Sequence, residues 1–126
     1  MNNVKISDNV ILNLSFNFSL DIITFSELLE ESKKYVVARQ LLRSGTSIGA
    51  NIKEAQGAES KADFIHKLKI ASKEADETEY WLQLCQHAST YPPSPELLLR
   101  LLEIKKIIGK IIFTSKSQNQ AKAILP

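Results

Sequence analysis

A chain of 126 residues, 44% apolar and 24% charged, has the length of one domain and the composition of an ordinary globular protein. One cysteine, Cys85, excludes an internal disulfide framework and fits a reducing cytosol, and no run of 18 apolar residues offers a membrane span. A net charge of +2 and an isoelectric point near 8.7 argue against a strongly basic nucleic-acid binder.

The opening MNNVKISDNV lacks a basic stretch followed by an apolar one, so no signal peptide is expected and the compartment reads as cytoplasmic. Residues 1–6 read as a loosely attached tail. Ser7 suits the N-cap of a first helix, with Asp8 at the positive end of its dipole. Ile11, Leu14, Phe18, Ile22, Phe25 and Leu29 then form one apolar stripe, and Leu12, Phe16, Leu20 and Ile23 form a second on a different side. Leu12, Leu14, Phe16 and Phe18 alternate as in a strand, but steps of three and four continue to Leu29, so a helix near 8–31 is predicted.

Ser32 is a candidate cap for a second helix near 33–57, which Gly57 would close. Val37, Leu41, Ser44, Ile48, Ile52 and Ala55 share one face of it. Gly45 and Gly49 stand in its middle, each costing about 0.8–1 kcal/mol relative to alanine. Both fall on one flank, where a bare backbone admits a close neighbour, so they read as helix-packing residues. Gln40, Ser47 and Asn51 on the other edge need hydrogen-bond partners if covered.

Ser60, with Asp63 three residues on, resembles a capping box and opens a third helix near 60–90. Phe64, Leu68, Ala71, Ala75, Thr78, Leu82 and Cys85 follow a 4-3 heptad spacing. Its small central residues would allow the close approach that the glycines of the second helix invite. Ile70, Trp81, Leu84 and Ala88 make a weaker stripe. Pro92, Pro93 and Pro95 stop this helix, and Ser94-Pro95 starts a fourth near 95–115. That helix carries Leu97, Leu101, Ile104, Ile108 and Ile111 on one face and Leu98, Leu102 and Phe113 on another; the tail from Ser115 is expected to fray.

Short connections make consecutive helices antiparallel, so the fold class is all-α, an up-down-up-down four-helix bundle in a single domain, 1–126. Leu41, Ile48, Phe64, Leu68, Leu82, Ile104 and Ile108 are expected to be buried together. Charge runs in blocks: −4 over residues 1–32, +6 over 33–73, −5 over 74–103 and +5 over 104–126. Neighbouring helices or subunits would thereby meet with opposite sign.

The run LLRSGTSIGANIKEAQGAESKADFIHKL, followed by IASKEADETEYWLQL, resembles the hallmark segment of small bacterial four-helix-bundle proteins, the 23S rRNA intervening-sequence family. The likeness extends from NVILNLSFNFSLDII to ELLLRLLEIKKIIGKII. It implies an antiparallel bundle that assembles as a ring, typically a homopentamer. It also implies distant kinship with the accessory protein of diversity-generating retroelements, a basic pentamer that works with a reverse transcriptase and nucleic acid. The family brings no agreed biochemical activity.

Enzyme constellations are missing from the sequence. His66 and His87 lie 21 residues apart on one helix, about 31 Å along its axis, too far to share a metal. Cys85 sits on the heptad seam, where a buried thiol is expected rather than a nucleophile. The acidic run Glu74–Glu79 lacks the Glu-x-x-His pairing of di-iron bundles and reads as a solvated or intersubunit face. GTSIGANIKE fails the phosphate-loop pattern, and Arg43 and Lys53 flank its G-x-x-x-G, against a membrane dimer. No cofactor and no catalysis are expected.

Two function classes remain. Arg39, Arg43 and Lys53 project opposite the core stripe of the second helix, and repeated around a ring they could hold RNA or DNA phosphates. Glu54 beside them and the lack of interleaved aromatics weigh against this. The alternative is a scaffold for an unidentified protein partner. Self-association is expected in either case. Leu12, Phe16 and Ile23, then Ile70, Trp81 and Leu84, then Leu98, Leu102 and Phe113 form second apolar stripes that a single bundle cannot cover.

Overall fold

A computed structural model describes residues 1–124, with side-chain surroundings through Gln118. Four helices follow one another: α1 (Val10–Glu31), α2 (Tyr35–Ala55), α3 (Lys61–His87) and α4 (Pro95–Ile124). They touch in cyclic order, α1 to α2, α2 to α3, α3 to α4 and α4 back to α1, with no diagonal contact among the described residues. Gly45 meets Ile22 while Gly49 meets Ser15 and Ser19, and Lys34 reaches Thr90 while Arg43 reaches Glu77. Partner numbers that fall as others rise identify antiparallel pairs.

Periodicity builds the core. Phe18, Ile22 and Leu29 of α1, Leu41, Ile48 and Ile52 of α2, Leu68 and Leu82 of α3, and Leu101, Ile104 and Ile108 of α4 are buried together. Phe64 differs from expectation: it is half-buried at the core edge, and its neighbour Ile65 is buried instead. Lys61 lies over the Phe64 ring, 4.9 Å being the comparable distance of Lys34 from Tyr91 and 5.5 Å that of Lys61. An aromatic edge can thus stay wet on one side.

Several ends differ from the sequence reading. Asn9, not Ser7, caps α1, its side chain accepting from the Ile11 amide at 3.2 Å; Ser7 accepts from the Asn9 amide one step earlier. Ser32 ends α1 rather than starting α2. Lys33 adopts φ 64°, and the amides of Lys33 and Lys34 donate to the carbonyls of Glu30 and Leu29, the paired bonds of a Schellman turn. α2 ends at Gln56, and Gly57 does not use a left-handed backbone. Ser60 caps α3 as its sequence suggests, accepting from the Asp63 amide at 3.0 Å. α4 continues past Ser115 to Ile124, and Leu125 and Pro126 of the expected frayed tail lie outside the described residues. The lysines, glutamines and alanines after Ser115 have good helix propensity, with no glycine or proline before Pro126.

Residues 1–6 are not a loose tail. They run along α1 as an extended arm whose alternate residues are held by side chains one helical turn apart. Asn13 accepts from the Ile6 amide at 2.9 Å. Asn17 accepts from the Val4 amide at 2.7 Å and donates to the Val4 carbonyl at 2.8 Å. Asp21 accepts from the Asn2 amide at 3.2 Å.

Candidate interaction surfaces

Opposite charges meet at three seams of the bundle. Arg43 of α2 pairs with Glu74 and Glu77 of α3, Lys105 of α4 with Asp76 and Glu79 of α3, and Arg100 of α4 with Asp21 of α1. The acidic run Glu74–Glu79 therefore serves contacts inside the bundle. Trp81 donates to Glu77 at 3.0 Å, and this bond, with Arg43, outweighs burial to hold the Glu77 carboxyl below the usual range. Burial raises the Cys85 thiol, which keeps it protonated and inert. No group of three or more metal-ligating side chains occurs among the described residues, and no helix there is long and apolar enough to cross a membrane.

The basic trio of α2 does not form one open patch. Arg43 is engaged by two carboxylates, Arg39 is exposed, and Lys53 stands beside the groove between α1 and α2. Ser47 and Asn51 satisfy themselves on their own helix, bonding the carbonyls of Arg43 and Ser47.

Gly45 and Gly49 face α1, not the alanines of α3 as expected. A Cβ on Gly45 would lie 2.8 Å from Ile22, and one on Gly49 would lie 3.3 Å from the Ser15 carbonyl oxygen. On the α3 side the close contact is polar: the Thr78 hydroxyl lies 2.9 Å from that of Ser44. Signals for this were present in Ser44 and Thr78, since small hydroxyls on two core stripes can pair across a seam.

The second stripes are partly or largely uncovered. Phe16, Ile23, Leu84, Leu102 and Phe113 are exposed, Phe113 by 73%, while Leu12, Ile70, Trp81 and Leu98 are half-buried. Between α1 and α2, Leu12, Phe16, Thr46, Gly49 and Ala50 line a groove of about 360 Å³, with Ile6 of the arm on its rim. Sequence reading found the α1 half of this groove and missed the arm. Asn13, Asn17 and Asp21 recur every fourth residue and could have signalled it.

Four amphipathic helices with a polar-bridged core and leftover apolar stripes define a helical bundle built for contact. The chain belongs to the 23S rRNA-intervening sequence protein family, which matches residues 7–110. A solved structure of a protein of unknown function from the S23 ribosomal protein family of Bacteroides thetaiotaomicron is similar, with 44% identity and a TM-score of 0.76. The match covers 82% of this chain and 98% of that one. No curated protein matches the chain.

Proposed function

We propose that this protein is a non-enzymatic, homo-oligomeric scaffold, most simply a pentameric ring, whose assembled surface engages a further partner. The observation that carries this is the pair of uncovered apolar faces, one between α1 and α2 and one on α4. Exposed apolar area on both sides of a small bundle is a liability unless another surface covers it. The count of five follows the family resemblance. Light scattering across a dilution series tests the reading: a stable mass near 70 kDa, five copies of 14.1 kDa, is expected. A persistent mass of one chain would overturn association, and another multiple would overturn the count.

Nucleic-acid binding through Arg39, Arg43 and Lys53 is the weaker reading, because Arg43 already serves Glu74 and Glu77. Binding of mixed RNA and DNA oligonucleotides that weakens with salt and is lost on charge reversal of Arg39 would favour it over a pure protein scaffold.

A further inference from the structure

Resting on the scaffold reading, we infer that α4 of one copy docks through Leu102, Gly109 and Phe113 into the α1/α2 groove of a second copy. Gly109 is the starting point. It lies inside α4, where glycine costs a helix about 1 kcal/mol, yet a Cβ there would meet nothing within 4 Å. Its own chain therefore gives no packing reason for it, in contrast to Gly45. At 100° per residue Gly109 lies about 20° from Leu102 and 40° from Phe113, so a bare patch of backbone stands between two exposed apolar knobs. Such a patch suits a close neighbour from outside.

The groove offers the matching surface. Leu102 and Phe113 are eleven residues apart, as are Leu12 and Ile23 on α1, so both pairs repeat at about 16.5 Å along their helices. Gly49 and Ala50 form a floor of small residues in which a phenyl ring can seat. Charge adds direction. Ile104 to Gln118 carries four lysines and no acid, whereas the groove's far end is the C-terminus of α2, the negative end of its dipole, followed by exposed Glu54 and Glu59. Lys53 on the rim is the cation that opposes this.

The two surfaces lie on opposite sides of the bundle. Lys105, between Leu102 and Gly109, pairs with α3, which places the knobs on the α3 side of α4, across from the α1/α2 groove. Contact between unlike faces is heterologous and propagates from copy to copy until a ring closes.

Gly109→Gln separates this seam from folding, since the isolated chain has room for the side chain. The expected result is retained helicity with association at least about tenfold weaker, a loss of about 1.4 kcal/mol. Oxidation of a chain carrying both Ala50→Cys and Phe113→Cys should give a ladder of covalent multimers that neither single variant gives, Cys85 being buried. A multimer unaffected by Gly109→Gln, or a covalent dimer from Phe113→Cys alone, would overturn the seam and leave the scaffold reading standing. A parent protein that stays a single chain would overturn both.

Discussion

Gly45 shows how one position can set the distance between two helices. Ile22 is fully buried, and the clash of an added Cβ involves Cγ1 and Cγ2 near its backbone, which cannot swing away. Gly45→Ala gains about 1 kcal/mol of helix propensity but loses about 1–3 kcal/mol to overpacking. Net destabilisation of about 1 kcal/mol is expected, read as a lower denaturation midpoint with unchanged slope. The two glycines were legible as packing residues because their cost in a helix needs a reason. Which helix they faced was not legible: their flank adjoins the core stripe, and the alanines of α3 offered an equally small surface.

Helices were read well from spacing, and their ends less well. Steps of three and four recur over many turns, so one irregular residue cannot hide them, whereas an end rests on a single cap. Lys33 is the clearest case, since nothing in a Glu-Ser-Lys-Lys run announces a left-handed backbone where glycine is usual. Lys33→Gly should relieve the strain of that φ and raise stability by about 1 kcal/mol. Urea unfolding would measure it, and an unchanged midpoint would mean that the αL cost is met in other ways.

Across the whole molecule, the blocks of charge map onto the helix seams, which is why alternation along the chain could be read as attraction between neighbours. The α4–α1 closure depends on Arg100 and Asp21 together with the arm. Burial alone would raise the Asp21 carboxyl, but hydrogen bonds from Arg100 and Asn2 outweigh it and hold it below its ordinary value of 3.8. A carboxylate depressed by folding contributes stability that is complete above its unfolded pKa and is lost as pH falls through the lowered folded value. Acid below about pH 4 should therefore loosen this closure first. Amide exchange at Asn2 and Val4 should rise there, and Asp21→Asn should show the same exposure already at neutral pH. Subunit number stayed out of reach of the sequence, because a stripe records that something covers it and carries no angle of closure.

The arm also works as a vernier. Two extended residues advance about 6.6–6.8 Å, while four helical residues advance about 6.0 Å. Asn13, Asn17 and Asp21 engage residues 6, 4 and 2 in turn, so the mismatch grows by roughly 0.7 Å per rung. Side-chain flexibility absorbs it over three rungs, but a fourth, at Phe25, would stand about 2 Å out of step. Position 25 carries a buried aromatic ring instead of another asparagine. Because the rungs grip main chain, the arm's side chains are left to vary, and it is the count of residues, more than their identity, that this contact constrains.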